Sequence, residues 1–137
     1  MRIRIDVFVP ILAAAGLMLA GCGGGQGDPL AGRALYHQET IGNRQAPGCV
    51  TCHLLVDGEV KVGPPHYGIA ERAEARVRAQ DYRGQANSAA EYLEESIRQP
   101  NAYVVEGYQP GVMYGQYEEV LTDKQIDDLV AFLLTLH

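Results

Sequence analysis

The clearest periodic pattern of the chain lies near its C-terminus, where apolar side chains recur three and four residues apart. This spacing places them on one face of an α-helix. The face comprises Ile126, Leu129, Val130, Leu133 and Leu136. Thr122 and Gln125, just before it, are the residue types of a capping box, which satisfies free N–H groups in a first helical turn. We therefore predict a well-marked C-terminal helix.

Weaker helical patterns precede it. Asp28 and Pro29 are typical of a helix start, since aspartate caps the first turn and proline has the backbone angle that this turn requires. A short, charged helix is predicted over residues 69–79. Another follows the capping-box sequence of residues 88–91 and ends at Pro100, which cannot continue it.

The segments between these helices are predicted as loops. Residues 38–48 contain glycine, proline and asparagine, and residues 101–120 contain four tyrosines and three glycines. No segment alternates convincingly as a strand does, and no internal repeat is present. A chain of 137 residues has room for one domain with a modest core. We expect an all-α domain over residues 28–137.

The first 21 residues are expected to be a signal peptide rather than part of the domain. A basic start precedes an apolar stretch at residues 7–20, which is too short to span a bilayer comfortably. Residues 19–22, Leu-Ala-Gly-Cys, resemble the lipobox of bacterial lipoproteins, which implies cleavage before Cys22 and its lipidation. Residues 22–27 then form the lipidated end and a glycine-rich tether. The alternative is an uncleaved anchor or ordinary signal peptide, with Cys22 unmodified.

The sequence Cys-Val-Thr-Cys-His at residues 49–53 is the strongest chemical signal of the chain. Cys49 and Cys52 have the spacing at which each bonds one vinyl group of a single porphyrin, and His53 then coordinates the iron. A zinc site needs further ligands of matching spacing, and a thioredoxin-like pair needs a βαβ pattern. The sequence has neither, so we expect one covalent haem c. With Cys22 assigned to lipid, no cysteine is left for a disulfide.

The second axial ligand of the iron is indicated less directly. Met113 is the one methionine that stays after signal-peptide cleavage, and it lies among glycine, proline and tyrosine residues. A thioether favours Fe(II) and raises the reduction potential, which suits an electron carrier. Alternatively, Met113 fills a gap in the core. The competing histidines, each expected to be structural, are His37, His66 and His137.

The predicted mature chain is acidic. The whole chain has a net charge of −6, and without residues 1–21 it has nine basic and 16 acidic side chains and a net charge of −7. This balance argues against nucleic acid or anionic lipid as a partner and favours docking to a basic patch on a redox protein. The alternative is that the charge only keeps the domain soluble.

Together these residues resemble the class I c-type cytochromes, over residues 28–136. In that family a glycine and an aromatic residue of the N-terminal helix cross the C-terminal helix. Gly32 and Tyr36 match this pair and are expected to face Leu129 and Phe132, since glycine lets two helix backbones approach closely.

A glycine-proline pair after the haem motif carries the resemblance further. Gly63 and Pro64 match it. The resemblance implies that the Pro64 carbonyl accepts the ring N–H of His53, which fixes the tautomer of the imidazole and increases its basicity.

Three departures from the family pattern bear on the haem environment. His66 stands where an apolar residue usually packs on the haem, and Tyr114 follows the methionine where proline is common. The chain also has no tryptophan to bond a haem propionate. The candidates to replace it are Tyr82, Arg83 and Arg98.

The resemblance implies a cytochrome c-like fold of three to five helices around one haem, and an electron carrier rather than an enzyme. We expect it to face the periplasm or the outer side of the cytoplasmic membrane, in a bacterial respiratory or photosynthetic chain. The implied partners are a quinol-oxidising complex as donor and a terminal oxidase or reductase as acceptor. Three alternatives stay open: a haem enzyme with a displaceable distal ligand, a ligand-binding sensor, and a permanent subunit of a larger oxidoreductase complex.

Overall fold

The computed structural model describes residues 27–137, so the predicted signal peptide, Cys22 and most of the tether lie outside it. The described residues form six helices and one pair of short strands. In chain order the elements are α1 (Pro29–Tyr36), β1 (Thr40–Ile41), β2 (Ala46–Pro47), α2 (Cys49–Cys52), α3 (Ile69–Val77), α4 (Ala89–Arg98), α5 (Tyr117–Val120) and α6 (Asp123–Leu133). The two strands pair antiparallel, with Thr40 opposite Pro47.

The predicted all-α class agrees with these elements, with two differences. Helices α2 and α5 have four residues each, which brings the number to six instead of the expected three to five. A single turn is too short to contain an apolar periodicity, so neither helix could be recognised from spacing. The expected absence of strands was wrong within residues 38–48, where β1 and β2 contribute two residues each.

Helices α1 and α6 begin where the sequence predicts. The Asp28 side chain accepts a hydrogen bond from the Leu30 N–H at 2.9 Å, and Pro29 is the first residue of α1. At α6 the Thr122 hydroxyl accepts from the Gln125 N–H at 3.2 Å, and the Gln125 side chain accepts from the Thr122 N–H at 2.9 Å. Both caps satisfy N–H groups that have no partner within their own helix.

Helices α1 and α6 cross at Gly32. A Cβ atom at this position would overlap with the Asp128 carbonyl group and lie 2.9 Å from the Phe132 Cβ. One turn further along α1, the Tyr36 ring meets the Phe132 ring edge-on, with 5.3 Å between the centroids. The predicted crossing is therefore confirmed, and backbone contact keeps the two helices at their closest approach.

Asp128 ties the start of α1 to the middle of α6. Its carboxylate accepts a hydrogen bond from the Asp28 N–H at 2.6 Å and forms an ion pair with Lys124. The Lys124 ammonium is the main cause that lowers the pKa of Asp128, and the Asp28 N–H acts in the same direction. The buried carboxylate is therefore charged at neutral pH and has two partners.

Helices α3 and α4 complete the core. Helix α4 begins at its predicted cap, Ser88, and packs on α3, α5 and α6. Helix α3 ends at Val77, two residues before its predicted end. The largest fully buried side chains are Tyr36, Ile41, Ile126 and Leu129. Within residues 27–137, none of the helices has the length and apolar character that a membrane span requires.

We predict that Gly32→Ala destabilises the fold. Alanine is favoured over glycine in a helix interior by about 1 kcal/mol. The added methyl group would overlap with the α6 backbone, however, which cannot turn aside as a flexible side chain does. Because overpacking costs roughly 1–3 kcal/mol and more in rigid surroundings, we expect a net loss of about 2 kcal/mol in the free energy of unfolding. Denaturant titration of the holoprotein measures this loss.

Gly115→Ala is the matched control for this variant. A Cβ at Gly115 would meet no atom within 4 Å, so the substitution should leave the free energy of unfolding nearly unchanged. Equal stability of the two variants would contradict the close crossing at Gly32.

Candidate haem-binding site

The residues predicted to hold the cofactor all line one cavity of about 490 Å³. They are Cys49, Cys52, His53, Pro64 and Met113. The first three come from α2 and the residue after it, Pro64 from the loop before α3, and Met113 from the loop before α5. The fold thus brings residues from three separate segments to the same cavity.

Helix α2 presents both cysteines of the motif from a single turn. Two hydrogen bonds hold residues 47 and 48, which precede this helix. The Gly48 N–H donates to the Glu39 carbonyl at 2.7 Å, and the Tyr117 hydroxyl donates to the Pro47 carbonyl at 2.6 Å. Both thiols are free of disulfides and partly buried. Burial raises the pKa of Cys49 to about 12, so its thiol is neutral at pH 7.

His53 is buried, with one ring nitrogen engaged. Its Nδ1 lies 2.8 Å from the Pro64 carbonyl oxygen. A carbonyl oxygen only accepts, so Nδ1 has the proton and Nε2 keeps its lone pair. Burial lowers the pKa of His53, and the Pro64 contact opposes this in part. The ring is a neutral imidazole with one nitrogen available to a metal, and the hydrogen bond implied by the family resemblance is present.

The loop after the haem motif is shaped around this ring. A Cβ at Gly63 would overlap with Cε1 of His53 and would lie 2.7 Å from its Nδ1. The Gly63 N–H donates to the Cys52 carbonyl at 2.9 Å, and the His66 N–H donates to the Leu54 carbonyl at 2.7 Å. These two backbone bonds fold the loop back onto the motif, which brings the Pro64 carbonyl to the ring.

The other histidines have different surroundings. His37 and His137 do not line the cavity, and the His137 ring bonds to the Glu71 carboxylate at 2.7 Å. His66 lines the cavity but stacks on the His53 ring, with 4.0 Å between the centroids. It therefore lies on the same side of the cavity as His53. Burial, followed by His53 and two nearby arginines, lowers the pKa of His66 well below its usual value.

Met113 lies in the loop between α4 and α5 and packs partly buried against the core. Gly111 has a φ of 77°, a left-handed conformation that favours glycine, and its N–H donates to the Asn101 side chain at 2.7 Å. On the other side of Met113, the Tyr114 ring packs edge-on against Tyr117 with 5.0 Å between the centroids. The loop is thus tied to its surroundings on both sides of the methionine.

Among the described residues that line the cavity, Arg76 is the one lysine or arginine. Its guanidinium donates to the Tyr92 hydroxyl at 3.1 Å and lies 5.7 Å from the centroid of that ring. Arg76 was not among the residues predicted for the site, although the sequence contains a signal for it. Arg76 follows Ile69 and Ala73 at helical spacing on the buried side of α3, where a charged residue is unusual.

The residues suggested from the sequence as propionate partners do not line the cavity. Tyr82 donates instead to the Glu95 carboxylate. Arg98 pairs with Glu94 and Asp123, each at 2.8 Å. Arg83 donates to backbone carbonyl groups of its own turn.

The donor set and the cavity fit an amphipathic iron porphyrin. The cavity wall is mainly apolar, which suits the flat macrocycle. Two thiols are available for the vinyl carbons, and a neutral imidazole and a thioether are both ligands that iron accepts in c-type sites. A guanidinium at the wall is suited to a carboxylate.

A family model described as cytochrome c matches residues 30–137. The chain therefore belongs to the cytochrome c family, whose members bind haem c and serve in haem-based electron transfer. The expected cytochrome c-like all-α fold is thereby confirmed. A comparison with curated proteins found no match.

Proposed function

We propose that this protein is a membrane-tethered monohaem cytochrome that carries single electrons, with His53 and Met113 as the axial ligands of its iron. The observation that carries the proposal is the hydrogen bond between His53 Nδ1 and Pro64, which leaves Nε2 unprotonated in the cavity that Met113 also lines. When bound, haem c supplies a reversible change between Fe(II) and Fe(III). The chain attaches the group, supplies both ligands and excludes water.

This ligand set supports a carrier rather than an enzyme. With both axial ligands supplied by the chain, no coordination position is left for a substrate. The imidazole and the thioether are neutral, and the apolar wall disfavours the additional positive charge of Fe(III). Both effects raise the reduction potential.

Arg76 and Tyr92 are the proposed partners of a haem propionate. Arg76 has N–H groups beyond the one that it donates to Tyr92, and these groups suit a carboxylate. The Tyr92 ring lies beside the guanidinium and limits its rotation. This pair takes the place of the tryptophan that the chain lacks.

The proposed partners follow from charge and from the tether. A quinol-oxidising complex is the donor and a terminal oxidase or reductase is the acceptor, each docking through a basic surface to this acidic domain. A permanent place in a larger oxidoreductase complex is compatible with the same chemistry, and copurification would distinguish it from a free carrier.

A haem enzyme or ligand-binding sensor is the second candidate, and one observation favours it. Val112, next to Met113, is 53% exposed, so the loop that contains the proposed ligand is not enclosed by the core. If this loop opened, an exogenous ligand would reach the iron. Such a function requires that an exogenous ligand can displace Met113 from the iron.

We predict that Cys49→Ala combined with Cys52→Ala abolishes covalent haem attachment, because no thiol is left for either vinyl group. The protein band should lose its haem stain completely after denaturing electrophoresis. Cys22→Ala is the matched control and should keep the full stain. Denaturation-resistant stain in the double variant would refute the attachment site.

We predict that the wild-type protein is low-spin and unreactive towards carbon monoxide, and that Met113→Ala binds carbon monoxide. The variant should also lose part of the reduction potential, a fraction of the roughly 0.8 V that axial ligands span in haem proteins. Absorption spectra and redox titration measure both effects. Val112→Ala, in the same loop, is the control that should change neither.

Two results would contradict this assignment. An unchanged spectrum in Met113→Ala would remove Met113 from the iron. Carbon monoxide binding to the wild-type protein would favour the enzyme or sensor.

We predict that Cys22→Ala releases the protein from membranes, because the thiol that accepts lipid is lost. Acyl chains contribute about 0.8 kcal/mol per buried CH₂, so a lipidated protein resists washing with high salt and carbonate. Fractionation of both proteins by these washes is the measurement. A variant that stays with the membrane as firmly as the wild type would rule out a lipid anchor at Cys22.

A further inference from the structure

The His53 ring is covered on one face by a second histidine. The centroids of the His53 and His66 rings are 4.0 Å apart, and the two planes are inclined by 15°. At this distance and angle the rings stack face to face. An aliphatic side chain at this position would cover the same face without presenting a flat ring to it.

The stacked ring is itself held in place. The Tyr36 hydroxyl lies 3.0 Å from Nδ1 of the His66 ring, and the His66 backbone N–H donates to the Leu54 carbonyl at 2.7 Å, which fixes the position of the residue in its loop. Tyr36 is fully buried, and its ring packs against Phe132 where α1 crosses α6. The His66 ring is therefore bonded to a residue of the α1–α6 crossing, and the His66 backbone is bonded to the segment that follows the haem motif.

The hydrogen bond to Pro64 alone does not fix the His53 ring. A single bond at Nδ1 sets the direction of one N–H group, but the ring can still rock about the line joining Nδ1 to the carbonyl oxygen. Gly63 lies close to the ring but has no side chain that could hold it. A flat group stacked on one face of the His53 ring would block the rocking motion. The His66 ring is such a group.

We propose that His66 is a positioning residue for His53, and that the Tyr36 hydroxyl holds the His66 ring so that the stack fixes the plane of the His53 imidazole. This inference rests on the proposed function, in which His53 is an axial ligand. The plane of an axial imidazole determines how its π electrons overlap with the iron orbitals. A fixed plane therefore gives one electronic state of the site rather than an average over several.

The test compares His66→Leu, His66→Phe and Tyr36→Phe with the wild-type holoprotein. Leucine covers the ring face but is not flat, phenylalanine keeps a flat ring without the hydrogen bond, and Tyr36→Phe removes the hydroxyl alone. His137→Leu is the matched control, because it removes an exposed imidazole that does not line the cavity.

Two NMR readouts report on the plane and mobility of the His53 ring. In the reduced protein, the solvent exchange of the His53 Nδ1–H should accelerate about tenfold in His66→Leu, as expected for weakening one neutral hydrogen bond. Tyr36→Phe and His66→Phe should accelerate it less. In the oxidised protein, the spread of the haem methyl shifts should change in His66→Leu and stay as in the wild type in His137→Leu.

Several outcomes would overturn the inference. Exchange rates and methyl shifts equal to those of the wild type in His66→Leu and Tyr36→Phe would do so. A lower melting temperature with both readouts unchanged would assign His66 to packing alone. A wild-type spectrum that is not low-spin would instead refute the proposed function, so the two failures are distinguishable. The Tyr36 hydroxyl also donates to the His53 backbone carbonyl at 3.5 Å, so an effect of Tyr36→Phe is assigned to the stack only where a His66 variant shows an effect too. If His66→Leu does not fold, His66→Phe provides this comparison, because it keeps a flat ring at the same position.

Discussion

The close approach of two helix backbones at Gly32 is the constraint on which the rest of the molecule depends. Because no side chain separates α1 from α6 at this position, Tyr36 one turn later is pressed against Phe132. Tyr36 then has its hydroxyl next to His66, which stacks on His53. The contact between the two backbones is thus linked, through Tyr36 and His66, to the ring proposed to bind iron.

The proposed ligand site is built mainly from neutral groups. Burial raises the pKa of Cys49 and lowers the pKa of His53, so each group is uncharged near pH 7. An apolar cavity imposes this because an isolated charge there is costly to desolvate. Arg76 is the exception at the wall, and its place beside Tyr92 is understandable if a carboxylate of the bound group faces it.

Much of the fold could be predicted from sequence because its signals are local. The caps at Asp28 and Thr122 involve atoms at most three residues apart, and the α6 stripe repeats within one helix. Single-turn helices and the β1–β2 pair give no such periodicity and were missed. Arg76 was also missed as a residue of the cavity wall, although its spacing from Ile69 and Ala73 places it on the buried side of α3. That Arg98 is instead engaged by Glu94 and Asp123 could not be predicted in the same way, because Asp123 lies in another helix and this contact is tertiary.

For the surroundings of His66, the family resemblance and the contacts in the structure lead to different expectations. From the resemblance alone, a histidine in place of an apolar residue predicts a difference in polarity near the haem edge. In the structure the imidazole presents its flat face to His53 and directs Nδ1 to Tyr36, so this nitrogen has a buried hydroxyl as its hydrogen-bond partner. The histidine therefore depends on a partner in α1: with phenylalanine at position 36, its Nδ1 would lose this hydrogen bond. Two residues that are separated in sequence are thus explained as one pair, and the pair is held by the crossing at Gly32.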